Sequence, residues 1–188
     1  GLGGTLETFE GGVTTGWDNG GASTGDYRND VTVTRPGNSA TTAMWFGNAP
    51  NPTKIYPIDN EATRIEFDFY ALDSWDSERF YTRINGVNVV DFVRSTGTNY
   101  TDVVTGSAVV NGKAVTFTVT PNNDHGNWST STGNAISGHT DQSFRVVIDL
   151  PEDFGTSFAL QFDTNLDSAG ADESAAVDNI RVYSRENT

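Results

Sequence analysis

The residues best equipped for chemistry lie together in the middle of the chain. Asp73, Asp76 and Glu78 put three carboxylates within six residues, with Trp75 among them. Like charges at this spacing repel one another unless a cation sits nearby. Calcium takes roughly six to eight oxygens, carboxylate or backbone carbonyl, so carbonyls of Ser74 or Ser77 could complete a shell. Taken alone, the same stretch also reads as a solvated acidic turn. Other candidates are weaker. Glu66 and Asp68 stand two apart and share one face of a strand, as the paired carboxylates of some sandwich-fold glycosidases do. Asp124-His125 and His139 with Asp141 suggest acid–base pairs, but no Gly-x-Ser-x-Gly elbow supplies a nucleophile. The expectation is a binding module and not an enzyme, with no catalytic residue.

Strands must position these groups. Ile65, Phe67 and Phe69 alternate with Glu66, Asp68 and Tyr70, and Phe80, Thr82 and Ile84 alternate with Tyr81, Arg83 and Asn85. Period-2 alternation marks a half-buried strand, so Asp73, Asp76 and Glu78 are expected on the loop between two strands. Asn85-Gly86 and Asn111-Gly112 are hairpin signals, because both central residues of a type I′ turn need positive φ. They join 80–84 to 87–93 and 102–110 to 113–120. Further strands are expected at 5–10, 31–33, 42–46, 143–150, 158–162 and 176–183. Pro50, Pro52 and Pro57 break the stretch before 64, which reads as a loop. Residues 121–139 form a long polar loop, a type that is usually functional or mobile. Within it Trp128, like Trp75, offers a flat ring for stacking on a sugar or peptide side chain, whereas Trp17 and Trp45 read as core.

Around ten short strands with antiparallel connections predict an all-β chain. The expected architecture is an antiparallel β-sandwich of jelly-roll type with little or no helix. No internal boundary stands out, so residues 1–188 read as one domain. Gly1-Leu-Gly-Gly reads as a linker remnant, which suggests a monomeric module within a larger chain.

The chain carries 25 acidic against 11 basic residues, a net charge of -14. That balance argues against nucleic acid and anionic membrane surfaces, and bound cations would relieve the self-repulsion. No apolar run is long enough to span a bilayer, so no membrane insertion is expected. The chain has no cysteine, which excludes disulfides and thiolate zinc sites.

Two sets of segments carry a family resemblance. Leu6-Glu-Thr-Phe-Glu10 with Gly16-Trp17, paired with Ala176-Val-Asp-Asn-Ile-Arg-Val-Tyr183, is similar to calcium-stabilised jelly-roll modules of bacterial extracellular proteins. Phe67 to Phe80, followed by Asn85-Gly86, resembles the peptide-binding (ligand-binding) domains of giant bacterial RTX adhesins. The resemblance implies a structural Ca2+ on Glu10 and Asp178 and a second site among Asp73, Asp76 and Glu78. It implies an extracellular location on the bacterial cell surface and a role in cell adhesion and biofilm attachment. The implied partner is a peptide or protein C-terminus whose carboxylate meets calcium; the alternative is a glycan held by a calcium-dependent, lectin-like module. Trp75, Asp124, Trp128, Asp167 and Asp172 are the candidate ligand contacts, the three Asp because they stand in acidic loops of a calcium-type protein. The glycine-rich nonapeptide repeat of RTX chains and the EF-hand loop are both absent, so any calcium must be held by carboxylates that the fold assembles.

Overall fold

The computed structural model describes residues 4–12, 15–18, 27–47, 51–95, 97–132, 141–167 and 173–185. These form strands β1 (Gly4–Glu7), β2 (Tyr27–Thr34), β3 (Thr41–Phe46), β4 (Thr53–Pro57), β5 (Thr63–Asp73), β6 (Asp76–Ile84) and β7 (Val87–Ser95). They continue with β8 (Val104–Val110), β9 (Lys113–Pro121), β10 (Ser129–Thr130), β11 (Gln142–Leu150), β12 (Ser157–Thr164) and β13 (Glu173–Ser184). A short 3-10 turn at Glu10–Gly12 is the one helical element among the described residues. The large sheet runs β10-β2-β3-β13-β5-β11-β9-β8, with β1 added on β13, and the small sheet runs β4-β12-β6-β7. All the pairings are antiparallel, so the chain is a β-sandwich of jelly-roll type.

Alternation builds the sandwich. On β5, Ile65, Phe67 and Phe69 are fully buried between the sheets. Phe69 stacks on Phe80 of β6 at 3.9 Å, and Phe67 meets Phe162 of β12 edge-on at 4.9 Å. Each buried aromatic removes about 150–250 Å² from water, so these rings dominate cohesion between the layers. The opposite face of β5 is polar: Glu66 and Asp68 share the Arg145 guanidinium at 3.1 and 3.2 Å. The outer face also carries a second apolar cluster of Val31, Val33, Ala43, Trp45, Tyr70, Leu72, Trp128 and Ala176. Both Asn-Gly turns adopt the expected conformation, with φ of 50° and 79° at Asn85-Gly86 and 51° and 71° at Asn111-Gly112.

Four expectations about local structure need correcting. The proline-flanked stretch contains edge strand β4, where Pro57 is the last residue and removes no interior ladder bond. The first strand ends at Glu7 instead of reaching 10, because Phe9 adopts a φ of 56° and the chain turns into the 3-10 segment. Asp73, Asp76 and Glu78 do not sit on a broad loop. Strand β5 runs on to Asp73 and β6 begins at Asp76, leaving only Ser74 and Trp75 between them. Positive φ at Asp73 (66°) turns the chain into the reversal, and Ser77 (63°) marks a bulge in β6 between Asp76 and Glu78. Finally, the polar segment after β9 holds the short strand β10 and packs on the outer face through Trp128.

Candidate functional site

The tight reversal between β5 and β6 points Trp75 inward. Its ring is 1% exposed and meets Phe69 edge-on, and its indole N–H donates to the Ser174 carbonyl at 2.9 Å. Trp75 therefore anchors the β5–β6 corner to β13 and presents no free face to a ligand.

Around that corner the carboxylates gather. Oxygens of Asp76, Glu78 and Glu173 all lie within 4.8 Å of one another. Asp76 and Glu78 come from the small sheet and Glu173 from the large one, so the cluster sits where the ends of the two sheets meet. Asp76 is exposed, whereas Glu78 and Glu173 are buried. One Glu78 oxygen, Oε1, accepts a short bond from the Asp76 backbone N–H. Its Oε2 is buried and receives no donor among the described residues. Glu173 approaches Glu78 within hydrogen-bonding reach, yet both side chains are acceptors when ionised, so the pair needs a shared proton or a cation. Burial raises the Glu78 carboxyl above its ordinary value, and the charges of Asp167 and Asp76 add to this. Arg94 stands opposite Glu78 in the ladder but directs its guanidinium to the carbonyls of Ser95 and Thr98 and over the Tyr100 ring. An all-oxygen donor set with an orphaned buried carboxylate oxygen fits a hard divalent cation such as calcium.

Around the cluster, the exposed Asp167 donates its backbone N–H to Glu173 Oε1 at 3.0 Å. Asp73 faces Glu173 in the ladder and is buried, but it is not one of the three clustered ligands. Its N–H donates to Asp141 Oδ1 at 2.7 Å, so the reversal is pinned to β11's entry. In the sequence Glu173 reads only as one more acid of the 163–174 loop and not as a metal ligand. Its signal was positional: it begins the last strand, and antiparallel pairing of that strand with β5 brings it to the corner.

Glu10 and Asp178 lie elsewhere, beside β3 of the large sheet. Thr41 and Thr42, adjacent on β3, hold them: the Thr41 hydroxyl donates to Asp178 Oδ2 at 2.8 Å, and the Thr42 N–H and hydroxyl donate to Glu10 at 3.2 and 3.1 Å. Asp178 is fully buried and directly opposes Asp68 across the ladder. A bulge follows at Asp178/Arg181, with Asn179 at a φ of 53° and its N–H donating to Asp178 Oδ1. Burial pushes the Asp178 carboxyl up to about 7; the Thr41 and Asn179 bonds pull it down, and the charges of Asp68 and Glu10 raise it further.

The long polar loop is tied down by its named candidates. Asp124 accepts from the Ser143 N–H at 3.0 Å, from the Ser143 hydroxyl, and from Arg35 at 3.3 Å. Trp128 is 4% exposed; its N–H donates to Asp141 Oδ2, its indole to the Asp124 carbonyl, and its ring meets Tyr70 edge-on. Asp124 and Trp128 are thus packing and tethering groups, not open contacts. Asp172 and His139 lie outside the described residues. Burial lowers the His125 imidazole below its usual range.

No protein-family model matches this chain, and no curated protein matches it. One similar solved structure is TmCBM27, a carbohydrate-binding module studied for specific mannan recognition. It shares 14% identity, covers 97% of this chain and 99% of its own, and superposes with a TM-score of 0.39. A likeness this distant carries no argument about ligand. No helix among the described residues is long and apolar enough to cross a membrane.

Proposed function

We propose that this domain is a calcium-dependent ligand-binding module of a bacterial surface adhesin, taking the C-terminal end of a partner protein outside the cell. The observation that carries the reading is Glu78: a buried carboxylate with an undonated Oε2, crowded by Glu173 and Asp76. Glu78 and Glu173 would hold the ion from the protein side. Asp76, exposed, marks the side from which a ligand arrives. Bound calcium supplies a Lewis acid able to accept an incoming carboxylate oxygen. Asp167 fixes Glu173 through its N–H, and Trp75 locks the corner from behind. The resemblance of 67–86 to RTX adhesin domains supports the choice of ligand. Glu66 and Asp68 are both engaged by the Arg145 guanidinium, and the reading assigns no hydrolytic chemistry to them.

The test is calorimetric titration with a short peptide carrying a free C-terminus. Binding should require calcium, and amidating the peptide, chelating the ion or introducing E78Q should each weaken it by roughly tenfold or more. Equal binding of the amidated peptide would remove the carboxylate reading, and undiminished binding in chelator would remove the metal. A glycan array run beside it decides the alternative ligand class. With Trp75 and Trp128 packed away, a glycan would have to be gripped by calcium and exposed polar groups alone.

A further inference from the structure

Edge strands are the places where a sandwich can grow, and proteins usually blunt them with charge, proline or brevity. Most edges here follow that rule. Strand β1 has four residues, β10 has two, β4 carries Lys54 and Pro57, and β7 carries Asp91 and Arg94. Strand β8 does not. It closes the large sheet, pairs with β9 over its whole length, and has no partner on its other side among the described residues. Val103-Val-Thr-Gly-Ser-Ala-Val-Val110 contains neither charge nor proline. Its apolar side chains are also unusually open: Val103 is 55% exposed, Val104 40% and Val109 69%.

The segment is self-complementary as well. A two-fold axis perpendicular to a sheet keeps paired residues on the same face, so such a pairing must centre on one residue. Centred on Gly106, it sets Val103 opposite Val109, Thr105 opposite Ser107, and Val104 opposite Ala108. Val103, Val104 and Val109 of one copy then each meet an apolar residue of the other, Thr105 and Ser107 meet through their hydroxyl side chains, and only Val110, at the end of the pairing, meets a charge, Asp102. Gly106 meets itself with no side chain to collide. We infer that β8 is a self-association edge, at which a second copy of this chain pairs antiparallel about Gly106 and extends the large sheet across both molecules. The contact is one strand pair between two acidic molecules of charge -14, so it is concentration-dependent and strengthens with salt as their repulsion is screened.

The absence of cysteine makes the test direct. Val103→Cys and Val109→Cys chains, mixed under mild oxidation, should give a mixed disulfide, because directly opposed strand residues fall within disulfide range. Val109→Cys alone should not cross-link, since its two copies lie roughly 20 Å apart at about 3.4 Å per residue. In sedimentation at high salt the native protein should shift from monomer towards dimer with concentration. Val109→Lys should weaken the dimer roughly tenfold or more, because both symmetric positions carry the charge. Ile55→Lys, an equally exposed change on edge strand β4, should leave it intact. A monomer at every concentration and salt level overturns the inference. So does a Val109→Lys protein that still dimerises, an Ile55→Lys protein that does not, or cross-linking without preference for the mixed pair.

Discussion

Trp128 shows how far a residue's meaning depends on what it touches. In a polar loop a tryptophan reads as a platform for a ligand. Here the ring closes on Tyr70, and both its nitrogens are engaged, the backbone one by Asp141 and the indole one by the Asp124 carbonyl. A tryptophan so enclosed is structural. Trp128→Ala should cost roughly 3–5 kcal/mol, as removal of a buried large ring does, read as a lowered urea midpoint. If Trp128 were instead a binding plate, stability would barely move and only ligand affinity would fall. Asp76 and Glu78 differ in the other direction. They are alike in sequence, but one is open and the other buried with an undonated oxygen, and that difference separates a ligand-facing position from an inner one.

At the scale of elements, the strands with clean alternation and the two Asn-Gly hairpins were legible, because side-chain period and turn stereochemistry are local properties. Strand β4 was hidden because its proline, Pro57, is tolerated at an edge, and edge position is a property of the whole sheet. Glu173 and the tight Asp73–Asp76 reversal were hidden for a similar reason: strand register brings residues about a hundred positions apart to one corner. The bulge after Asp178 belongs to the same class and has a measurable consequence. Asp178 is held by Thr41 and Asn179 while facing Asp68 and Glu10, and its carboxyl sits at about 7. An unfolded Asp titrates near about 3.9. A raised folded value means that the native state holds a proton the unfolded chain releases. The contribution is therefore complete below about pH 4 and lost as pH rises through about 7, up to about 4 kcal/mol if the whole shift is expressed. Without metal, Asp178→Asn should thus gain on the wild type between pH 5 and 8, as read by melting in chelator at a series of pH values. Should a cation occupy this position, calcium would close that gap at pH 8 by stabilising the wild type alone. A constant difference between the two proteins across pH would show that Asp178 stays ionised in the fold.

For the whole molecule, the balance lies between an aromatic core and a charge of -14. The core needs no help with cohesion, since Phe67, Phe69, Phe80, Phe144 and Phe162 are completely buried between the sheets. The charge is another matter, and the structure concentrates its cost at two places, the Asp76–Glu78–Glu173 corner and the Glu10–Asp178 face. Monovalent salt relieves a diffuse surface field but reaches buried carboxylates poorly. A site-bound divalent ion acts where the repulsion is strongest, and at the corner it would join the small sheet to the large one through their ligands. At matched ionic strength calcium should therefore raise the melting temperature well beyond sodium or magnesium, since magnesium dehydrates reluctantly and favours sites that keep its waters. Each occupied site should add about 2.7 kcal/mol at a hundredfold excess over its dissociation constant. The combined E78Q and Asp178→Asn protein separates the two effects: it should keep the modest response to sodium and lose the excess response to calcium. If sodium and calcium stabilise the native protein equally, the acidic clusters are tolerated through general screening, and neither is a metal site.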